Sequence, residues 1–370
     1  MKLLCINYEY PPIGGGGGVV SKGLAEALVK RGYHIDLVTS GMKDLPEFEI
    51  VNGVHVHRVN CFRRYRHYVT LPEMATLIWP LYSKALRLIN ENNYQLNHTH
   101  FIFPSGLVSY FLKKKTGLEY ILTCHGSDVP GYNPDRFHFT HKLLKQLWVK
   151  TIINSQGVST PSHYLKRLIQ SQIDIPVEVI PNGYDFLPCT PTAKCNRILV
   201  VTRMFERKGV QFFIKAVADL KSKWEILIAG DGPYLNKLKE LARNVPSIKF
   251  LGFVNGPALA QLYKSSKIFV FPSVQENFPV VLLEAMEAGC AIVTTDAPGC
   301  VEVVGNEAII TRCGRVSDIR HAIEYLMTNE NEVNRLSCSA RDRAGQFTWN
   351  AIASHFDQLS HRCLCQPCFN

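Results

Sequence analysis

Residues 271–289 read FPSVQENFPVVLLEAMEAG and set two carboxylates eight positions apart, Glu276 in the loop after an apolar strand and Glu284 inside the helix that follows. Backbone N–H groups left free at a helix N-terminus attract anions, phosphate in particular. Carboxylates have little use for phosphate, yet they accept hydrogen bonds from sugar hydroxyls on either side of it. Read together, the segment is a cradle for a sugar nucleotide. Two glutamates on the solvent face of an amphipathic helix would give the same spacing, so the surrounding motifs have to decide between the readings.

Further motifs stand at the ends of apolar runs. The glycine run at 14–18 follows the first, and glycines there let backbone N–H groups approach a phosphate oxygen without a Cβ in the way. It lacks the Lys-Ser/Thr ending of a P-loop and the acidic partner of a dinucleotide fingerprint, which leaves diphosphate contact and a bare turn as its readings. In Thr123-Cys124-His125-Gly126-Ser127-Asp128, a neutral His125 can reach a sugar hydroxyl or serve only the structure, and Asp128 can cap the following turn. Arg203 and Lys208, five residues apart around a loop, can clamp a diphosphate and neutralise the charge that builds as it leaves, with Arg207 competing for the role. Gly230-Asp231-Gly232-Pro233 permits close approach to a flat base and puts proline at the first helical position. In Leu251-Gly252-Phe253-Val254, backbone groups either read a base edge or make a simple turn.

These motifs need a scaffold that gathers strand ends, and the hydrophobic periodicity describes one. Residues 2–8 read as a buried strand, 19–31 as a helix with Leu24, Leu28 and Val29 on one face, and 34–39 as a second strand, which makes a βαβ unit. A parallel sheet with helices on both faces follows. Further strands are expected at 54–59, 96–100, 119–123, 157–160 and 177–180. After a linker at 187–196 containing Pro188 and Pro191, the pattern restarts with strands at 197–202, 225–229, 248–251, 268–271 and 291–294. The expected fold class is α/β, with doubly wound, Rossmann-like domains over 1–186 and 187–346. Ligands of such sheets bind beyond the carboxyl ends of the strands, where the motifs lie, so a cleft served by both sheets is expected.

At 370 residues, with 46% hydrophobic and 19% charged, the chain is globular and long enough for two cores. No apolar run reaches the roughly 18 to 20 residues of a membrane span. Glu9 and the prolines interrupt the N-terminal apolar stretch before a signal-peptide core forms, so a cytoplasmic location is expected. A net charge of +10 favours nucleotide diphosphates or anionic lipid, and no nucleic-acid motif accompanies it. Arg63-Arg64-Tyr65-Arg66-His67 and Lys113-Lys114-Lys115 are either solvated faces or a footprint for anionic phospholipid. The twelve cysteines read as reduced thiols, and Cys363, Cys365 and Cys368, without a clear fourth ligand, as a frayed tail.

The glycine run, HGSD, IPNGYD, Arg-x4-Lys, AGDGP, LGFV and Glu-x7-Glu, in this order over nearly the whole chain, resemble glycosyltransferase family 4, a retaining group with the GT-B fold. The last helix, at about 347–362, is similar to that family's terminal helix, which returns to the N-terminal domain. The resemblance implies a UDP- or GDP-sugar donor on the C-terminal domain. Glu276 would meet the sugar hydroxyls and Glu284 the ribose, while Asn277, Phe278 and Val280 lend backbone N–H groups that Pro279 lacks. Arg203 and Lys208 would hold the departing diphosphate with help from Gly15, Gly16 and Gly17, and Asn182, Gly230, Gly232 and Phe253 would complete the donor site. His125 would lie near the transferring sugar. Asp128, Arg63, Arg64 and Arg66 would face the acceptor, expected to be a glycan on a lipid diphosphate because the loops 60–71 and 129–140 are aromatic and basic.

By the same resemblance, retention follows a front-face route in which the leaving phosphate oxygen takes the acceptor's proton. The cations replace a metal's charge, so neither metal nor other cofactor is expected. Many relatives have glycine where Pro279 follows Phe278. Peripheral attachment to an anionic membrane surface is expected through 63–68, and truncation of Glu276 or Lys208, both placed in an open cleft, is expected to leave folding intact. Competing readings are a nucleotide-sugar epimerase of the same architecture and a noncatalytic nucleotide-sugar scaffold.

Overall fold

A computed structural model describes residues 1–66, 69–133, 143–185, 192–220 and 223–365. His67, Tyr68, positions 134–140 of the expected acceptor loop, 187–191 of the expected linker and Cys368 lie outside the described residues. The chain forms two compact units, Met1–Gly183 together with the chain from Trp349 onward, and Tyr184–Thr348. The boundaries expected from sequence, after 186 and 346, differ from these by two or three residues.

The first unit holds an eight-stranded sheet of β1 (Lys2–Ile6), β2 (His34–Ser40), β3 (Phe48–Val51), β4 (Val54–Val59), β5 (Leu96–His100), β6 (Tyr120–Thr123), β7 (Gly157–Thr160) and β8 (Glu178–Val179), in the order β3-β4-β2-β1-β5-β6-β7-β8. Every neighbouring pair is parallel except β3 with β4. β1 is a nearly continuous apolar run, as helices on both faces require, whereas its neighbour β5 buries Asn97, His98, Thr99 and His100. β3 was not expected from its sequence. It pairs with β4 through Asn52 and Gly53, whose φ angles of 48° and 84° form the two-residue turn whose twist suits a hairpin.

The second unit holds a six-stranded, all-parallel sheet of β9 (Cys195–Val201), β10 (Glu225–Ala229), β11 (Ile248–Gly252), β12 (Ser266–Phe271), β13 (Ala291–Thr295) and β14 (Ile309–Thr311), in the order β11-β10-β9-β12-β13-β14. Ile198, Val200, Ile228 and Val270 from its strands share one buried cluster with Phe213 and Leu336. In both sheets the order reverses beside the first strand of the unit, between β1 and β5 and between β9 and β12. Loops leaving such neighbours diverge to opposite faces and open a crevice at the strand ends. The glycine run leaves β1, the segment at 203–208 leaves β9 and the Glu276 loop leaves β12.

The terminal helix Trp349–Cys365 belongs to the first unit and buries Trp349, Ile352, Phe356, Leu359 and Cys363 along one stripe of helical period. A Cβ on Gly23 or Gly183 would fall on the Trp349 indole, so both glycines make room for it. Cys363 is not part of a frayed tail: its thiol is buried within this helix, 3.4 Å from the Gln156 carbonyl. No described helix is long and apolar enough to cross a membrane. Truncation of an anchor of this size costs about 3–5 kcal/mol. Trp349→Ala is therefore expected to lower the urea midpoint of the first unit markedly, and an unchanged midpoint would show that the indole does not hold the helix.

Candidate active site

At the reversal in the second sheet, Lys208 ends the short turn Glu206–Lys208 and Glu276 lies in the loop after β12. The Lys208 ammonium donates to Glu276 Oε1, with both residues only 8% exposed. The same oxygen accepts from Ser273 Oγ at 2.7 Å. Val274 N–H donates to the Arg207 carbonyl at 2.9 Å, and Thr295 Oγ1 donates to the Ser273 carbonyl, which ties the two loops to each other and to β13. Gly209, at φ +70°, leaves no room for a Cβ beside the Pro272 carbonyl. A Cβ on Gly299 would fall on the Glu276–Asn277 backbone, so the helix Pro298–Val304 presses directly on the loop that carries the glutamate.

Desolvation pushes the Lys208 pKa down from its usual value, the Glu276 charge opposes that shift, and Arg203 and Arg207 add to it. Both arginines lie over the Phe205 ring, at 5.5 and 5.4 Å. Lys208 thus has one carboxylate and two further cations acting on it, an excess of positive charge suited to a diphosphate. Burial also corrects one expectation. Removing either partner of a buried ion pair strands the other charge and costs about 3–5 kcal/mol, so truncating Glu276 or Lys208 is not neutral for folding.

Gly230 and Gly232 have φ of +135° and +154°, and a Cβ on either would strike Thr202 or Met204 backbone. The room that pointed to a flat base is used by the chain itself, to seat the loop bearing Arg203. Phe253 is exposed. Glu284 lies on the helix Val280–Glu287, whose N-terminus carries no side-chain cap, and its Oε2 accepts from Tyr263 Oη at 2.9 Å. Burial raises the Glu284 carboxyl to about 7, against the pull of the Tyr263 hydrogen bond. Asn277 and Phe278 are buried, the latter with its ring edge-on to Phe347 at 5.5 Å.

In the first unit the helix begins at Gly16, three residues before the expected start, and Gly15 N–H donates to Glu9 Oε2 at 2.9 Å. A Cβ on Gly17 would meet the Phe101 ring, whereas the space at Gly16 is open. Phe101 has φ +67°, a conformation costly for a bulky residue. Its ring lies 4.5 Å from that of His125, so it joins the glycine loop to the histidine. His125 Nε2 is 2.9 Å from His100 Nδ1, and burial lowers its pKa to about 3, which keeps the imidazole neutral at physiological pH. Asn182 stands beside Gly183 at the end of this unit.

Two residues expected to face an acceptor are engaged by the chain's own backbone. Asp128 accepts three backbone N–H bonds, from His125 at 3.1 Å and Gly126 at 2.9 Å on Oδ1 and from Ile102 at 3.0 Å on Oδ2, so its carboxylate pins the His125 loop to the end of β5. Burial raises its pKa while those bonds lower it. Arg63 is buried and donates to the carbonyls of Tyr8, Tyr65 and Arg66 and to Ser40 Oγ, at 3.1–3.3 Å. A side chain in that position is no part of a surface patch. Arg66 pairs with Asp44, and Arg64 is exposed with its guanidinium near the Phe62 ring.

An apolar cavity of about 350 Å³ opens beside Asp128, lined among others by Tyr8, Met74, Ile78, Phe103 and Leu107. Ala75 and Ile78 also line a second, of about 710 Å³, that reaches Trp79, Phe111, Lys114 and Lys115. Sequence reasoning missed Ser273, Tyr263, Phe101 and Gly299. Ser273 and Tyr263 are marked only by chemistry that becomes visible once their partners are known.

The sequence matches the family described as Glycosyltransferase Family 4 over residues 14–186 and that described as Glycosyl transferases group 1 over 191–343. An uncharacterized glycosyltransferase of Methanocaldococcus jannaschii is 32% identical, covering 83% of each chain. The alpha-monoglucosyldiacylglycerol synthase of Streptococcus pneumoniae is 24% identical over 80% of this chain and 72% of its own. In structure, the Anabaena protein HepE in complex with UDP and glucose aligns with a TM-score of 0.76 at 17% identity, over 98% of this chain and all of its own. The chain belongs to glycosyltransferase family 4 and has the GT-B fold. It is a glycosyltransferase, and neither the epimerase nor the scaffold reading is favoured.

The raised Glu284 pKa gives a linkage with a definite sign. Between 4.5, its ordinary value, and about 7 the folded protein binds the proton and the unfolded chain does not, so stability is present below that window and lost as pH rises through it. The melting temperature of the ligand-free protein is expected to drop from pH 5 to pH 8, and Glu284→Gln to flatten that drop. Equal pH profiles for the two proteins would contradict the assignment.

Proposed function

We propose that this chain transfers a hexose or related sugar, with retention, from a UDP- or GDP-sugar to a hydroxyl of a lipid-linked glycan. The observation that carries the donor half is the buried Lys208–Glu276 pair at the strand reversal, flanked by Arg203 and Arg207. On this reading the three cations receive the diphosphate. Glu276 meets the sugar hydroxyls, both of its described hydrogen bonds being on Oε1. The open helix start at Val280 lends N–H groups, and Glu284, once ionised, accepts from the ribose. The departing phosphate oxygen takes the acceptor's proton, the cations stabilise the charge without a metal, and the neutral His125 lies beside the transferring sugar. UDP in the HepE complex and a glucosyl-diacylglycerol in the pneumococcal relative's name support a nucleotide-sugar donor and a lipid-bearing acceptor.

The acceptor half rests on the apolar cavity beside Asp128 and its neighbour with Trp79, Phe111 and two lysines, a lining that suits a hydrocarbon tail and an anionic head. Peripheral binding to an anionic membrane through this surface follows, with Lys114, Lys115 and Arg64 as its cations in place of Arg63.

Thermal stabilisation by a panel of UDP- and GDP-sugars is expected to single out one donor, by mass action. With that donor, Glu276→Gln, which keeps a hydrogen-bonding group beside Lys208 but removes its counter-charge, is expected to lower the melting temperature, remain folded at 25 °C by circular dichroism and lose about 10²–10³ in kcat. Wild-type turnover in that variant would remove Glu276 from the reaction. Ile78→Asp is expected to raise KM for a lipid-linked acceptor and abolish flotation with anionic vesicles, leaving donor stabilisation unchanged. Unaltered KM and flotation would show that the cavity does not hold the acceptor.

A further inference from the structure

At the opposite end of the first sheet, where β2 and β4 begin, one carboxylate is ringed by imidazoles. Asp36 and His55 are register partners, and His34 and His57 stand two residues along on the same faces of their strands. His34 Nε2 lies 3.2 Å from Asp36 Oδ2, and His55 Nδ1 lies 3.6 Å from Oδ1. The ligand atoms of His34, Asp36 and His55 all fall within 4.8 Å of one another. His57 Nε2 touches Oδ1 at 2.9 Å and Tyr94 Oη donates to Oδ2 at 2.8 Å, so each carboxylate oxygen is also held from behind.

From this geometry we infer that His34, Asp36 and His55 form a transition-metal site, for Zn²⁺ or an ion of like preference, distinct from the glycosyltransferase site. A tetrahedral ion with bonds of about 2.0–2.2 Å holds its ligand atoms roughly 3.3–3.6 Å apart. His55 Nδ1 already stands at that edge from Oδ1, and 3.6 Å is too long for a hydrogen bond to explain it, whereas His34 Nε2 lies on the other oxygen, Oδ2, at hydrogen-bonding distance. The remaining closure falls to His34, whose side chain is 45% exposed and therefore able to turn, while Asp36 is 7% exposed and fixed. Two imidazoles and a carboxylate are a donor set that zinc accepts, with water in the fourth position. His57 and Tyr94 orient the carboxylate as outer partners do in metal centres. Solvent reaches the site past His34 and His55, so an ion has an entry path. Bound there, it would clamp the starts of β2 and β4 together.

The full-length protein, stripped with chelator, is titrated with Zn²⁺ by calorimetry and with Co²⁺ by absorption. The expected result is one equivalent of Zn²⁺, a rise in melting temperature and cobalt d–d bands without sulfur charge transfer. His34→Ala/His55→Ala, both on exposed or half-exposed positions, should fold normally by circular dichroism and lose the binding. Tyr94→Phe should weaken it about tenfold. Absence of binding, equal affinity in the double variant, or a thiolate charge-transfer band pointing to the cysteines would each overturn the site.

Discussion

The buried ion pair between Lys208 and Glu276 constrains everything around it in the second unit. A lysine and a glutamate held this far from water are tolerable only if each remains compensated, so the loops after β9 and β12 have to stay in register with one another. Ser273, Val274 and Thr295 supply that registration through hydrogen bonds, and Gly209 and Gly299 supply it by having no side chain. The pair joins the two loops that the strand order forces apart. The same crossing brings Arg203 and Arg207 near Lys208, which leaves the ammonium attracted by one anion and repelled by two cations. An arriving diphosphate would relieve that imbalance, and this is a physical reason for a charged residue to be buried where a ligand is expected.

In the first unit a different constraint does the corresponding work. Phe101 takes a backbone conformation that a bulky residue rarely adopts, and it is held there from several sides: its N–H donates to the Thr123 carbonyl, its carbonyl accepts from Gly106, and its ring packs on Tyr8 and His125. Asp128 fixes the neighbouring loop by accepting three N–H bonds. The strain is local and the hydrogen bonds over-determine it, which is how a neutral histidine can be held in one orientation next to a glycine loop.

Most of the sheet architecture was legible where buried parallel strands are largely apolar, as in β1, β10 and β12, and β1, β4, β5, β7, β10 and β12 begin or end within two residues of the positions read from the sequence, although β4, β5 and β7 carry buried polar residues. β3 and β14 escaped because they are short and partly exposed, though Asn52-Gly53 did carry a hairpin signal for β3. The site was legible by residue type and not by pairing. Lys208 and Glu276 are 68 positions apart, and nothing local announces that they meet. Arg63 was misread for a related reason, and the structural role of Asp128 was hidden by it: a sequence displays a charge but not whether the chain's own backbone already satisfies it. Phe101 has no sequence signature, since nothing in an aromatic residue marks a positive φ.

Pro279, set where many relatives are expected to have glycine, can now be judged on geometry. It precedes the helix Val280–Glu287 with φ of −76° and ψ of 111°, inside the narrow range that the pyrrolidine ring imposes, so the native conformation carries no strain. A proline at a compatible position stabilises by restricting the unfolded chain, whereas glycine would leave the Phe278–Val280 link more freedom to lose on folding. The missing N–H falls just ahead of the helix, which shifts any anion contact to Val280 and the residues after it. The substitution therefore stiffens the entry to the helix that carries Glu284, and it leaves that helix's own N-terminal donors in place.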